Sequence, residues 1–268
     1  AHVLERAEAP LHALRGARLF VTGGTGFFGV WLLETLAAAN ARLQLGLRAT
    51  VLSRDPAAFA ARAPRLAADA SFEWLRGDAR DFEFPGGAFS HVIHGAATAS
   101  AALNDARPDE MRGTIVEGTR RALAFAAHSG ARELLFVSSG AVYGPQPPAL
   151  SHVGEDRIAQ PRSLDTDNAY AEGKRVAEAL CAGAASQGLR PKIARCFAFV
   201  GPHLPLDAHF AAGNFLRDAL AGHAIRIQGD GRPYRSYLHS ADLVAWLLAI
   251  LVRGEPLRPY NVGSEQAV

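Results

Sequence analysis

The sequence predicts an α/β fold built on a doubly wound parallel sheet, and three observations carry that expectation. Short apolar runs alternate with helix-length stretches through most of the chain, the pattern of βαβ units rather than of hairpins. The first apolar run ends abruptly in glycines and passes straight into an apolar helix, the opening of such a unit. A chain of 268 residues, 49% hydrophobic and 20% charged, has room for one large domain, alone or with a small appendage, but not for three.

Taken in order, Ala17 to Thr22 (ARLFVT) is the first strand and Phe27 to Ala39 the helix behind it. Ala49 to Leu52 is the second strand, and Asp55-Pro56 opens a short alanine-rich helix, proline being suited to a first helical turn. Phe72 to Leu75 and His91 to Ile93 are two further strands. Glu110 to Ser129 carries apolar residues at helical spacing and stops at Gly130. Glu133 to Val137 (ELLFV) is a fifth strand running into Ser138-Ser139-Gly140, and the polar, proline-bearing stretch 151–167 is a loop. Asn168 to Ser186 is a helix closed by Gly188, and Lys192 to Phe197 is a sixth strand. Beyond Gly201 the pattern is interrupted by Pro202, Pro205, Gly213, Gly222, Gly229 and Gly231, until a last helix at Asp242 to Val252. The expected division is a main domain of residues 1–197, to which 237–252 returns, and a small lobe of 198–236 and 253–268 over the sheet's carboxyl edge.

Composition narrows the function. Lys plus Arg (28) against Asp plus Glu (26) leaves a charge of +2, too balanced for a nucleic-acid binder that runs on bulk electrostatics. The longest apolar run, Leu243 to Val252, falls far short of the roughly 20 residues a membrane span needs, so no membrane partner is expected. Cys181 and Cys196 are too few for a disulfide framework and lack metal-ligand spacing; both read as core thiols in a reducing cytoplasm, and no metal is expected. Met111 is the only methionine and the chain opens on Ala1, which puts the natural start outside this sequence.

Gly23, Gly26 and Gly29 stand as GxxGxxG between the first strand and its helix. One glycine makes the tight turn, one lets backbone N–H groups approach a pyrophosphate, and one lets helix and strand pack closely. This is the signature of a Rossmann-type domain, with the pyrophosphate at the start of the helix against Thr25, Gly26, Phe27 and Phe28. Such a fold reads the adenosine ribose at the end of the second strand, an acidic residue suiting NAD and an arginine suiting NADP. Here the chain reads Ser53-Arg54-Asp55, so NAD or NADP is expected with NADP favoured by Arg54, while Asp55 is either an offset carboxylate or a helix cap. Asp78, with Ala79 beside it after the third strand, is placed to meet the adenine.

Tyr170-Ala171-Glu172-Gly173-Lys174 puts a phenol and an ammonium one above the other on a helix face. A tyrosine base near pH 7 needs its pKa lowered from about 10 by roughly 3 units, which is about 4 kcal/mol. A positive charge about 4 Å away, at an effective dielectric near 20, supplies about that much, so Lys174 together with an oxidised nicotinamide ring suffices. Ser139 follows the fifth strand at its carboxyl end, where open α/β sheets bind ligands, and its hydroxyl can share the substrate oxygen with the tyrosine.

These residues resemble the extended short-chain dehydrogenase/reductase superfamily and, within it, the nucleotide-sugar epimerase/dehydratase group. TGGTGFFG (Thr22 to Gly29) is similar to its cofactor loop, His94-Gly95-Ala96-Ala97 to its fourth-strand signature, and SSGAVYG (Ser138 to Gly144) to its serine motif. Arg195-Cys196-Phe197 with Val200-Gly201-Pro202 resembles its sixth-strand motif, with Ala198 where an asparagine is usual. Gly229-Asp230-Gly231, Arg235-Ser236-Tyr237-Leu238-His239 with Asp242, and Asn261-Val262-Gly263 resemble its later motifs.

The resemblance implies a catalytic Ser139 and Tyr170, with Tyr170 also meeting the cofactor, Lys174 holding the nicotinamide ribose, and Gly95, Ala96 and Ala97 lining the cofactor. It implies that Ser139 and Gly140 meet the sugar, that Asn214 and Arg235 meet the diphosphate of a UDP-, dTDP-, GDP- or CDP-linked sugar, and that two helices pair in a homodimer. It also implies further elements after Val268. The departures select the chemistry. The acid and base that 4,6-dehydratases carry after the catalytic hydroxyl residue are here Gly140 and Ala141, and the glutamate of the related decarboxylases is likewise Ala141. Ile115 stands where the fourth helix often has an asparagine. The expectation is an NAD(P)-dependent nucleotide-sugar epimerase. The alternatives are a nucleotide-sugar or carbonyl reductase or dehydrogenase, or a non-catalytic dinucleotide-binding sensor.

Overall fold

The structure is a computed structural model that describes residues 2–97, 104, 106–147, 149–157, 168–208, 210–227, 230–231 and 234–268. Part of the expected 151–167 loop (158–167) and Gly229 lie outside the described residues. In chain order the elements are α1 (His2–Arg6), α2 (Glu8–Ala13), β1 (Arg18–Thr22), α3 (Phe27–Leu43), β2 (Arg48–Ser53), α4 (Pro56–Arg62), α5 (Pro64–Ala67), β3 (Phe72–Arg76) and β4 (His91–His94). There follow α6 (Pro108–Ser129), β5 (Glu133–Ser139), a 3-10 turn (Gly140–Tyr143), α7 (Ala169–Ala185), β6 (Arg190–Cys196), β7 (Ala198–Val200), α8 (Ala211–Leu220), β8 (Tyr237–His239), α9 (Ser240–Arg253) and β9 (Pro259–Val262).

Seven strands form one parallel sheet in the order β3-β2-β1-β4-β5-β6-β9. Val21 of β1 faces Val51 on one side and Ile93 on the other, so the strand order reverses direction between β1 and β4. The crevice of an open α/β sheet lies at that reversal, outside the strands' carboxyl ends.

Successive β1 side chains serve opposite layers, as a strand requires. Leu19 and Val21 join one core with Leu33 and Leu36 of α3 and Leu247 and Leu248 of α9. Phe20 joins the other with Phe125 of α6 and Cys181 of α7. There its ring lies 4.3 Å from that of Phe125 and 5.0 Å from that of Phe82, all three buried.

Three features depart from the pattern read in the sequence. Residues 2–13 form two short helices that bury Leu11 and Leu14 in the α3–α9 layer. The tail from 253, expected in the small lobe, instead supplies β9, which pairs with β6 from Ile193↔Pro259 to Cys196↔Val262. Its run is short and opens on a proline, tolerated because the strand lies at the sheet's edge. Within 198–236, where breakers seemed to rule, α8 forms around Gly213. A Cβ there would come within 2.3 Å of the Pro205 carbonyl oxygen, so that glycine serves close approach rather than helix breaking. β7 and β8 make a separate two-stranded parallel sheet, so the segment between them leaves and rejoins the main body at adjacent points.

Candidate active site

The glycine turn is shaped by backbone contact. Gly23 has φ 78°, and a Cβ there would lie 2.6 Å from the Gly95 carbonyl carbon, so the loops after β1 and β4 touch. A Cβ on Gly29 would lie 2.3 Å from the Gly23 oxygen, which packs the first turn of α3 directly on the loop. Gly26 is the N-cap of α3 and no side chain caps that helix. Its first N–H groups therefore lack intrahelical partners and form a cradle suited to an anion. The side chains of Phe27 and Phe28 pack on the core, Phe28 edge-on to Phe199 at 4.9 Å, leaving their backbone for that role. The Thr25 carbonyl accepts a bond from Arg62 at 2.5 Å.

A buried chain fixes the strand ends beneath this cradle. Thr22 Oγ1 accepts from Ala96 N–H at 3.1 Å and lies 2.8 Å from His94 Nδ1, whose Nε2 lies 3.2 Å from Thr119 Oγ1. Because Thr119 donates its own proton to the Ile115 carbonyl, it accepts from His94 Nε2, and Nδ1 accepts from Thr22. Burial pushes the His94 pKa down to about 3, so the ring is neutral and this single tautomer ties β1, β4 and α6 together. Gly95 and Ala96 thus sit beside the glycine turn.

At the end of β2, Asp55 accepts from Ala58 N–H at 3.0 Å and caps α4, one of its two readings. Ser53 is buried and accepts from Asp55 N–H, while Arg54 is exposed. Asp78 is held by Arg80 through Nε at 2.8 Å and the backbone N–H at 3.0 Å, and the side-chain bond keeps its carboxyl below the usual range. Ala79 packs against Gly118 of α6, where an added Cβ would meet it at 3.4 Å.

Ser139 ends β5, paired with Cys196 on β6, and its Oγ accepts from Ala141 N–H at 3.2 Å. Tyr170 enters from the first turn of α7, where Asn168 caps the helix and Asn104 Oδ1 accepts from Tyr170 N–H at 3.2 Å. Lys174, one turn on, is 2% exposed; its Nζ donates to the Val137 carbonyl at 2.7 Å, above the Phe136 ring. Its ammonium is 5.7 Å from the centre of the Tyr170 ring.

The protein's own groups supply only part of what a tyrosine base needs. Burial pushes the Tyr170 pKa up rather than down, and only the hydrogen bond with Ser139 opposes it appreciably. The charge expected from Lys174 is itself weakened, because burial pulls that ammonium down to about 8. Cys196 and Cys181 are buried free thiols pushed up to about 12, chemically quiet as core thiols should be.

Gly140 lies under an aromatic wall: a Cβ there would come within 2.8 Å of the Phe197 ring, which also stacks near Tyr143 at 6.2 Å. Ile115 packs against Gly173 on α7, filling with methyl groups the place where the resembling proteins often have an asparagine. Asn214 and Arg235 line a single groove of about 1080 Å³ in the lobe, with Phe215, His223, Arg226 and Tyr237. Ser139, Tyr170 and Lys174 are not among its lining residues; the two regions adjoin where Tyr237 pairs with Ala198, next to Phe197. Asn104 and Phe197 had no assigned role in the sequence, since neither a distant asparagine nor a ring over a glycine leaves a local pattern.

A Rossmann-type sheet with its glycine turn at the β1–β4 reversal, and a serine, a tyrosine and a lysine gathered at the neighbouring strand end, define a nicotinamide-dinucleotide class of α/β protein. The chain belongs to the NAD dependent epimerase/dehydratase family, whose model matches residues 19–263, and it is an enzyme of that family. It is 31% identical over 250 residues to UDP-glucuronic acid decarboxylase 6 of Arabidopsis thaliana, covering 92% of this chain and 69% of that protein. Among solved structures it is similar to the dTDP-glucose 4,6-dehydratase DesIV of Streptomyces venezuelae, with a TM-score of 0.78, 26% identity, and coverage of 94% of this chain and 77% of that one. It shares the fold of the UDP-glucose 4-epimerase of Thermotoga maritima at TM-score 0.77 and 21% identity, covering 94% and 78%. Among the described residues, no helix is long and apolar enough to cross a membrane.

Proposed function

We propose that this enzyme is an NAD(P)-dependent nucleotide-sugar epimerase that works at C4 of the sugar through Ser139, Tyr170 and Lys174. The observation that carries the reading is the pairing of that cluster with Gly140 and Ala141. Neither of those residues can move a proton, and Phe197 closes on the space a longer side chain at 140 would need. Elimination of water across C5 and C6 requires an acid and a base that this site lacks, whereas exchange of configuration at C4 does not.

Gly23, Thr25, Gly26, Phe27, Phe28 and Gly29 would hold the dinucleotide's pyrophosphate on the α3 N-terminus, and Lys174 its nicotinamide ribose. When bound, the nicotinamide supplies hydride transfer in both directions. Tyr170, ionised once the positive charge of the oxidised nicotinamide ring adds to that of Lys174, would take the proton of the sugar's 4-hydroxyl and return it at the end of the cycle, while Ser139 donates a hydrogen bond to the same oxygen. Asn214 and Arg235 hold the diphosphate, a guanidinium fork matching phosphate oxygens. The turnover of the 4-keto sugar between its two faces takes place beneath Phe197.

The preferred cofactor is NADP. Asp55 is spent on capping α4, which leaves exposed Arg54 as the charged group at the end of β2. That preference also suits the second reading, a nucleotide-sugar reductase that releases its cofactor. The enzyme would act in the cytoplasm as a homodimer through α6 and α7, which lie side by side in the chain.

Two measurements test this. Incubation with a panel of UDP-, dTDP-, GDP- and CDP-sugars should give a C4 epimer without loss of water or carbon dioxide; an elimination or decarboxylation product overturns the assignment. Arg54→Asp should reverse the ratio of NADP to NAD affinity, and an unchanged ratio removes the argument from β2.

A further inference from the structure

Behind the candidate site runs a second set of polar side chains that the proposed chemistry does not use. Glu178 lies one turn beyond Lys174 on α7. Its carboxylate accepts from Ser138 Oγ at 2.6 Å and from Arg195 through Nε at 3.1 Å and Nη2 at 2.7 Å. Arg195 continues the chain, donating from Nη1 to the Tyr143 hydroxyl at 2.8 Å and to the Glu155 carbonyl at 3.1 Å. Tyr143 donates to Asn261 Oδ1 at 2.7 Å, and Asn261 is bonded in turn to Val153 O and Glu155. These bonds join α7, β5, β6, β9 and the 3-10 turn after Ser139.

The pair at the centre is shielded from water, with side chains 13% and 12% exposed. Taking such a pair out of water costs about as much as its attraction returns, and apolar residues of similar shape are often as stable. Stability alone is therefore a poor reason for it, and its position is informative. Ser138 is the neighbour of Ser139, and Tyr143 closes the turn that carries Gly140. Arg175, the neighbour of Lys174, bonds the Val142 carbonyl of that same turn at 2.9 Å.

We propose that Glu178 is a positioning residue: gripped by Ser138 and Arg195, its carboxylate locks the helix bearing Tyr170 and Lys174 to the strand end bearing Ser139, and it sets its negative charge one helical turn from Lys174. The inference rests on the reading of Ser139, Tyr170 and Lys174 as the active cluster. The surroundings of Lys174 support the second half. Burial works against its ammonium, while Cys196 from β6 and Glu178 and Cys181 from α7 work for it. Of those three, only the carboxylate is ionised near neutral pH, both thiols being pushed up to about 12. His94 on β4 is neutral, Tyr170 on α7 is protonated, and β5 offers the Val137 carbonyl and the Phe136 ring. The Arg195 guanidinium is committed to Glu178 and Tyr143.

The test needs no sugar. Affinity for NADPH and for NADH is measured from pH 6 to 10 for the parent protein and for Lys174→Ala, Glu178→Gln and the paired Glu178→Leu/Arg195→Met. In the parent, affinity should weaken as Lys174 loses its proton near pH 8, because a charge-assisted bond to the ribose is stronger than a neutral one. Lys174→Ala should bind more weakly and lack this limb. In Glu178→Gln the limb should move to lower pH by about one unit, the loss expected when an opposite charge is removed. The apolar pair should recover thermal stability lost in Glu178→Gln and still show the displaced limb, which a merely structural role would not produce. A limb that vanishes in Lys174→Ala but stays in place in both Glu178 variants overturns the role of Glu178 and leaves the cluster standing. A parent with no alkaline limb, or the same limb in Lys174→Ala, overturns the role of Lys174, and the inference falls with it.

Discussion

At the carboxyl ends of β4, β5 and β6 the polar side chains are buried and committed to one another. His94 is locked between two threonines, Lys174 is bonded to a strand carbonyl, and Glu178 is held by three donors. In the lobe, Arg235 is exposed and bonds the neighbouring Tyr234 carbonyl, Asn214 meets Arg217 at a long 3.4 Å, and Leu220 and Tyr234 are 80% and 77% exposed. One region is preorganised and pays for that in buried polar groups; the other offers a wide groove with adaptable side chains. The contrast suits a division in which chemistry needs fixed geometry and the sugar carrier needs only to be held. It also says that variants of the two regions should fail differently.

The largest difference should appear in acid. His94 has a folded pKa of about 3 against about 6.5 unfolded, so the unfolded state binds the proton more readily. Stability is therefore intact above about pH 6.5 and falls, by about 1.4 kcal/mol per unit, as the pH drops toward 3. Denaturant unfolding at a series of pH values measures this, and His94→Gln should flatten the slope. An equally steep slope in that variant would place the acid sensitivity elsewhere.

Arg235→Ala should act on binding alone. Losing a charge-assisted bond to a diphosphate raises the KM for a nucleotide sugar about tenfold, with kcat and melting temperature nearly unchanged. A comparable fall in kcat would mean the groove takes part in the chemistry and would erase the division of labour. The smallest effect concerns the point where the chain after β7 meets the start of α9. Among the described residues, Ser240 Oγ is a buried hydroxyl without a hydrogen-bond partner, and a Cβ on Gly201 would come within 2.1 Å of it. Ser240→Ala removes a desolvated group and should stabilise by up to about 1 kcal/mol; a clear loss in melting temperature would show that the hydroxyl is satisfied in solution.

The same contrast explains what the sequence made legible. The βαβ rhythm, the glycine turn and the tyrosine–lysine helix are local patterns, and Gly23, Gly29, Ser139, Tyr170 and Lys174 all stand where those patterns put them. β9 escaped because four residues opening on proline carry no periodicity, and its placement is set by pairing with β6, far away in sequence. The raised phenol pKa of Tyr170 escaped for a related reason: spacing gives the distance to Lys174, while the cost of burial depends on Ile115, Phe136 and the rest of the packed helix pair. The wall over Gly140 and the grip on Glu178 are likewise tertiary, made by Phe197 and Arg195 from the same strand end.

The central claim is that Tyr170 is the base of this site, and a pH–rate profile of Tyr170→Phe against the parent protein tests it most directly, with cofactor supplied and the nucleotide-sugar panel as substrate. The substitution keeps the ring that packs against Lys174 and removes only the hydroxyl, so folding should survive. A general base is worth about 10²–10⁴-fold, and the account predicts a fall of at least that size across the whole profile. A Tyr170→Phe enzyme that keeps near-full activity and the parent's profile would contradict it.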